Sequence, residues 1–451
     1  MSFQFTPDQE IAVKTITDFV LEPANKSEDY FITLAGYAGT GKTTIMNHII
    51  KQIKSRKKIV VSAPTHTAKE VIGEITKQNA ETIQALLGLR PNTELEGFNP
   101  NKPVFDVRAE ERIQFYDVVI IDEASMLNTE AVKLIQDKAI AHRTKIIFMG
   151  DKYQLPPVGE TLSKVFKLKN VVTLETIVRQ SDSNPNVKLI ELARNDVRDG
   201  TDLCIPYIKQ IVCDMNEDEG FKLLDKDAYY EALLERYYDS EYQHNSKLIK
   251  TLCWTNNAVT AINNYVRNKV INSNELIAKG DVLTGYKTIS KEITTPPFYV
   301  AVVKNSIDYI VTDVEIISRT IMGCTLKFYA VKTKDNNHTI YVLHKDSYMD
   351  FQHKLEELQI NGNLYRQWKK YYEFKNEIVV MTPFYDSAGK KMCDKDMDYG
   401  YAITVHKSQG STYSQVGVTL TDILKNRTAS ERRKLIYVAV SRTSKLNLLY
   451  A

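Results

Sequence analysis

Tyr30-Phe31-Ile32-Thr33-Leu34-Ala35-Gly36-Tyr37-Ala38-Gly39-Thr40-Gly41-Lys42-Thr43-Thr44 is the stretch on which the fold turns. Strand-favouring residues run into Gly36, a short loop follows, and Gly41-Lys42-Thr43 opens an apolar periodicity through Ile45, Ile49 and Ile50. The pattern predicts strand, glycine loop and helix. In such a P-loop, backbone N–H groups and the positive end of the new helix face the phosphates of a nucleotide. Gly36, Gly39, Thr40 and Gly41 would form the cradle, with Thr44 beside it. Lys42 would reach the β- and γ-phosphates, and the Thr43 hydroxyl would coordinate Mg²⁺. The plain alternative is a glycine-rich turn with a lysine after it; the flanking strand and helix argue against it. The motif alone leaves kinases, GTPases, transporters and motors all open.

Upstream, Thr6-Pro7-Asp8-Gln9-Glu10 combines a capping threonine, a proline suited to the first helical position and early acidic residues, which predicts a helix start. The Gln9 amide offers a donor and an acceptor that could read an adenine edge. Taken alone, Gln9 reads more readily as a solvated helix-start residue. Downstream, Lys57 to Thr67 predicts a buried strand that ends in a polar, proline-marked loop, Pro64-Thr65-His66-Thr67. Ligands of open α/β sheets gather at such strand ends, and these side chains suit a phosphate backbone. A short helix is expected around Glu81 to Gly88. Residues 90–111, with Pro91, Gly97, Pro100 and Pro103, read either as a hairpin insertion or as an irregular surface loop.

Val118-Val119-Ile120-Ile121-Asp122-Glu123 delivers two carboxylates at the end of a buried strand. In P-loop ATPases, the first such acid holds the Mg²⁺ shell and the second polarises the attacking water. Lys145 to Gly150 predicts another strand, leading into Asp151-Lys152-Tyr153-Gln154-Leu155-Pro156-Pro157, where the diproline fixes a loop and Gln154 can sense a γ-phosphate. Val178-Arg179-Gln180 then supplies an arginine.

Composition sets only broad bounds. The chain has 451 residues, 43% hydrophobic and 25% charged, which is ordinary for globular domains and sufficient for two to four of them. The net charge of +3 neither supports nor excludes nucleic acid, so any strand contact must come from a locally basic channel. Five scattered cysteines, without a Cys-x-x-Cys pair, argue against structural zinc or a disulfide framework. With no leader-like N-terminus and no apolar run of spanning length, a soluble intracellular protein is expected.

The order of these motifs resembles the superfamily 1 helicases, in the branch containing the Dda and RecD motors. The resemblance runs from Gln9 to Arg442, and in size and layout it points to compact, phage-type Dda helicases. It is carried by Gly-Tyr-Ala-Gly-Thr-Gly-Lys-Thr-Thr, Ala-Pro-Thr-His-Thr-Ala, Asp-Glu-Ala-Ser, Gly-Asp-Lys-Tyr-Gln-Leu-Pro-Pro-Val and Val-Arg-Gln. In the second half it is carried by Tyr401 to Thr412, which contains His406-Lys407-Ser408-Gln409-Gly410, and by Tyr437-Val438-Ala439-Val440-Ser441-Arg442.

The resemblance implies an α/β fold of two RecA-like P-loop motor domains. The first spans 1–180 with a small hairpin insertion at about 89–112. The second comprises 181–277 and 381–451, interrupted at 278–380 by an SH3-like β-barrel (about 279–345) with a helical extension (about 346–375). Period-two alternation and the Asp335-Asn336-Asn337 turn independently argue for antiparallel strands in 279–345. The aromatic and basic side chains of 365–372 could stack bases, but the apolar spacing of Leu355, Leu358 and Ile360 favours a packed helical pair. The family's Asn-Gly turn is replaced here by Asn305-Ser306.

For function, the resemblance implies ATP-dependent translocation on single-stranded DNA, 5′ to 3′, with unwinding of forked duplexes by a monomer that is free of membranes. Lys42, Glu123, Gln154, Arg179 and Arg442 would be catalytic. Gln9, Gln409 and Gly410 would join the nucleotide site, and Mg²⁺ would rest on Thr43 and Asp122. The strand would be held by Pro64, Thr65, His66, Thr82, Gln84, Thr255, Asn256, Thr404, His406, Lys407 and Ser408, with Phe98 or Phe105 as the separating pin. Thr255-Asn256, standing alone, reads as a helix cap. Replication, recombination or repair, single-strand-binding or replication proteins as partners, and a host cytoplasm for a phage-encoded chain complete the expectation. A translocase that only strips bound proteins, and a P-loop phosphotransferase, are the competing readings.

Overall fold

The β-branched runs of the first half are apolar on both faces, as strands covered by helices on either side must be. The computed structural model, which describes residues 5–91, 105–107, 110–176, 184–292 and 299–451, gathers them into one sheet of six parallel strands. In spatial order these are Ala80–Thr82, Ile59–Ala63, Val118–Ile121, Lys145–Gly150, Phe31–Gly36 and Val171–Leu174. The strand feeding the glycine loop is thus interior to the sheet. Helix Lys42–Ile53 buries Ile45, Met46, Ile49, Ile50 and Ile53 beneath it, the stripe that the periodicity predicts. The short pair Leu89–Pro91 and Phe105–Val107 is antiparallel, which gives the hairpin over the irregular loop at this point. Phe98 and Arg179 lie outside the described residues.

A second sheet, in the order Ala402–Thr404, Ile249–Cys253, Tyr413–Thr419, Thr443–Tyr450, Glu219–Leu224 and Cys213–Asn216, is parallel except for its last pair. Between its strands in sequence sits an antiparallel sheet of Asn336–Leu343, Cys324–Thr333, Asp308–Ile321, Val282–Gly285 and Met397–Tyr399. Helices Tyr348–Tyr365 and Trp368–Asn376 pack on it through Phe351, Leu355, Trp368 and Phe374. The antiparallel sheet takes its final strand from beyond residue 380, the boundary expected from sequence. The short intervening Phe384–Tyr385/Lys391–Cys393 hairpin, with its polar turn at 386–390, masks the continuation. Fully buried Lys250 joins the two sheets, donating to Asp308 Oδ2 at 2.8 Å and to the Gly400 carbonyl. A buried ammonium is tolerated only with such partners.

The two halves share an interface rather than a hinge alone. Leu155, from the loop after Lys145–Gly150, is 1% exposed within the core of the second half, among Leu189, Leu252, Val405 and Leu435.

Candidate active site

The glycine loop takes its shape from left-handed backbone at Gly39 (φ 87°) and Gly41 (φ 79°), a region that side chains other than glycine rarely adopt. At Gly36 a Cβ would stand 2.6 Å from Thr40 Oγ1, so the loop closes only around glycine. Lys42 Nζ donates to the carbonyls of Gly36 (2.8 Å) and Tyr37 (3.0 Å), folding the ammonium over the loop. Gln9 is 1% exposed, which corrects the solvated reading. Its Nε2 donates to Thr40 O at 3.0 Å, while its Oε1 accepts the Thr6 N–H at 3.1 Å, so the amide braces the loop from behind.

A cavity of about 340 Å³ opens above this loop. Gly39, Gly41, Lys42, Thr43, Thr44, Asp122, Glu123 and Gln154 enter it from the first half, and Gly410, Ser411, Ser441 and Arg442 from the second. The sequence assigns most of these residues to one site, and the fold brings them together. Gln154 lines the cavity at 6% exposed, and its buried Oε1 has no partner among the described residues. Gln409 bonds instead to the Leu155 carbonyl, at 3.3 Å, and so links the halves.

The carboxylate pair is electrostatically poised. Burial raises the pKa of Asp122, opposed by the Glu123 N–H that it accepts and by the Lys42 charge. Glu123 is pushed up to about 7, chiefly by burial and then by neighbouring Asp122, against the pull of Arg442 and Lys42. It also sits at φ 50°, left-handed for a side chain that gains nothing there, and Gly410 of the second half lies over Ala68 beside it, where a Cβ would stand 2.9 Å from Ala68 Cβ. A carboxylate with a pKa near neutrality is suited to accept a proton from water. Arg442 is 6% exposed and donates only to neutral oxygens, those of Val438, Ser411 and Ser441. Among the described residues it has no carboxylate partner, so its charge is available to an anion in the cavity.

The hydroxyl of Thr43 and the carboxylate of Asp122 are hard oxygen donors on one cavity wall, a donor set that fits Mg²⁺ alongside phosphate oxygens. No cluster of three His, Cys, Asp or Glu side chains that could hold a metal ion occurs among the described residues.

The strand-contact candidates divide. Thr65 and Thr82 cap helices His66–Thr76 and Ile83–Leu86 by accepting the N–H of Ala68 and Ala85, which leaves their hydroxyl protons free to donate. Thr255 also caps its helix, but its hydroxyl donates to Asp422 at 3.0 Å, and Asp422 also holds the Trp254 and Thr255 N–H groups. Its hydroxyl is committed inside the protein. Ser408 is fully buried and donates to Val405 O, so it does not face a strand. Pro64, Gln84 and Asn256 remain at least partly exposed. Thr404 is 8% exposed and accepts the Lys407 N–H.

His66 is held at about 4 and Lys407 at about 8, both mainly by burial, with repulsion from Lys69 and Lys304 adding to the first and from Lys395 to the second. Lys407 lies 4.1 Å from the Tyr286 ring centroid and donates to Asn305 Oδ1 at 3.2 Å. The replaced Asn-Gly turn keeps a glycine-like shape, with Ser306 at φ 63° and its carbonyl accepting the Thr67 hydroxyl at 2.7 Å. Two residues that the sequence reading passed over, Asp151 and Tyr437, join the halves beneath the loop. Neither carries a motif signal beyond its neighbours.

Fold and site together define a P-loop nucleotide-binding protein with its pocket on the seam of two parallel-sheet halves. Residues 6–205 match the AAA domain family and residues 399–450 the UvrD-like helicase C-terminal domain. The uncharacterized protein R530 of Acanthamoeba polyphaga mimivirus is 25% identical across 98% of this chain and 98% of its own length. The ATP-dependent DNA helicase dda of Enterobacteria phage T4 is 27% identical over 60% of each protein. The Pif1 helicase of Candida albicans has the same fold, with a TM-score of 0.51 over 99% of this chain and 94% of that one, at 17% identity. In motif order and in these matches the chain is similar to the Dda/RecD/Pif1-like helicases of superfamily 1.

Proposed function

We propose that the protein is an ATP-dependent DNA helicase that moves 5′ to 3′ on single-stranded DNA and unwinds forked duplexes. The observation that carries this is the convergence of Lys42, Asp122, Glu123 and Gln154 from one half with Gly410 and Arg442 from the other around a single cavity. A phosphate site completed by both halves makes hydrolysis depend on their closure. The phosphates of ATP replace the two loop carbonyls as partners of Lys42. Glu123 accepts the proton of the attacking water, and Gln154 orients that water or the γ-phosphate. Arg442 balances charge developing on the transferred group, a contribution that reaches roughly 10³ to 10⁵ in rate in related NTPases. Arg179 is a second such arginine. Mg²⁺, when bound through Thr43 and Asp122, neutralises phosphate charge.

Movement follows from alternating grip. Thr65, His66, Thr82 and Gln84 on the first half, and Asn256, Thr404, His406 and Lys407 on the second, hold a strand at two points whose separation changes with closure. Backbone contacts give little sequence preference and strong salt dependence. The domain boundaries at 180 and 278, an SH3-like character for the antiparallel insertion, Phe98 or Phe105 as the pin, a working monomer, association with single-strand-binding proteins and a cytoplasmic setting belong to the same reading.

The test records ATP hydrolysis with and without single-stranded DNA, alongside unwinding of duplexes bearing a 5′ or a 3′ tail. Strand-stimulated hydrolysis and 5′-tailed unwinding are expected, and both vanish in Lys42→Ala while strand binding survives. Stimulated hydrolysis without any unwinding would favour a protein-stripping translocase instead. Hydrolysis indifferent to DNA would defeat the motor reading altogether.

A further inference from the structure

Tyr437 lies on helix Ala429–Val440, in the second half of the chain, a little over one turn before Arg442. Its side chain is fully buried, yet its hydroxyl bonds to the other half. The phenol donates to Asp151 Oδ2 at 2.7 Å and accepts the Ala38 N–H at 3.2 Å. Ala38 belongs to the phosphate loop, and Asp151 follows strand Lys145–Gly150. The second oxygen of Asp151 accepts the Tyr153 N–H at 2.9 Å. One buried chain of bonds therefore runs from the helix that delivers Arg442, through the loop containing Gln154, to the backbone of the glycine loop. A neighbouring contact follows the same route. Tyr37 stacks on Tyr153 with centroids 5.3 Å apart, and the Arg194 guanidinium, from helix Pro185–Asp199 of the second half, lies 4.5 Å from the Tyr37 ring.

We infer that Tyr437 is a positioning residue that couples closure of the two halves to the phosphate loop through its paired bonds to Ala38 and Asp151. The physical ground is the cost of an orphan. When the halves part, the Ala38 N–H and the Asp151 carboxylate must exchange their shared partner for water together, whereas a docked seam that lacked the phenol would leave the buried Asp151 carboxylate short of a partner, which is costly. Docking of the helix therefore fixes the loop and inserts Arg442 in one event. The phenol touches neither phosphate nor water in this scheme; it acts through the loop.

The inference rests on the helicase reading, and the experiment separates the two. In the full-length chain, Tyr437→Phe keeps the ring and removes the bonds. ATP hydrolysis is measured with and without a single-stranded oligonucleotide, together with KM for ATP and the melting temperature. Strand-stimulated kcat is expected to fall about tenfold, with KM for ATP shifting much less and the ratio of stimulated to basal rates falling with kcat. A merely structural role would lower the melting temperature and leave that ratio intact in the folded protein; an unchanged ratio overturns the inference. Should Tyr437→Phe fold poorly, Asp151→Asn, which keeps one acceptor and the shape, is expected to lower the same ratio by a smaller factor, and no change there overturns it equally. A wild-type protein without strand stimulation would sink the helicase reading itself.

Discussion

The proposed nucleotide cleft and the proposed strand-facing surface are built from similar polar side chains used in opposite ways. In the cleft, groups are left uncommitted: among the described residues Gln154 Oε1 has no partner, and Arg442 meets only neutral oxygens. On the strand side, threonines are already employed as helix caps, and Thr255 is further tied to Asp422. A site for chemistry holds its groups in reserve for charge that develops later. A surface for sliding along a polymer asks less of each group, so the same hydroxyl can also serve the fold.

The largest effect should follow from breaking the reserved chemistry. Glu123→Gln removes the proton acceptor and is expected to lower ATP hydrolysis by roughly 10² to 10⁴-fold. The same change should stabilise the protein at pH 8. Glu123 has a folded pKa of about 7 against 4.5 for the free side chain, so the folded state binds the extra proton and stability falls as pH rises through that window. A melting temperature for Glu123→Gln no higher than wild type at pH 8 would break this account. In the wild type, kcat/KM should lose activity as pH falls through about 7.

An intermediate effect is expected at Lys407. Its folded pKa of about 8, against 10.5 unfolded, means that the unfolded chain takes up the proton first and that stability is lost as pH falls through 10.5 to 8. At pH 7 the amine is still mainly protonated, and a phosphate beside it would offset the cost of holding that charge buried. Lys407→Met should therefore weaken single-strand binding several-fold, reduce the salt slope by about one, and raise stability at pH 7, all measurable by fluorescence titration and thermal melts. The smallest effect sharpens the comparison directly. Thr65→Val and Thr255→Val each lose a cap, a cost of about 1 kcal/mol, but only Thr65→Val should also weaken strand binding. Equal losses of affinity would show that Thr255 contacts the strand after all.

The sequence made the cleft legible because phosphate chemistry demands particular residues at fixed offsets from a strand end. Lys42, Asp122, Glu123 and Gln154 each follow a β-branched or apolar run, so local pattern and final position coincide. The strand surface was less legible. Whether a threonine caps a helix, faces solvent or meets a distant aspartate depends on residues far away, and Asp422 lies 167 positions from Thr255. Ser408 shows the same limit, since its turn, not its type, buries it. The parallel sheets followed from continuous apolar runs, but the reach of the antiparallel insertion beyond 380 did not, because Met397–Tyr399 is short and separated from the rest by a small hairpin.

The side chain of Leu155 in the neighbouring core has a thermal consequence. Parting the halves uncovers an apolar side chain, and burying one is worth roughly 1.5 to 3 kcal/mol. Exposure of that kind carries a positive heat capacity, and its cost shrinks on cooling. Cold should therefore loosen the seam before it loosens either sheet, so that the working cycle of this molecule slows on the closing stroke at low temperature while each half stays folded.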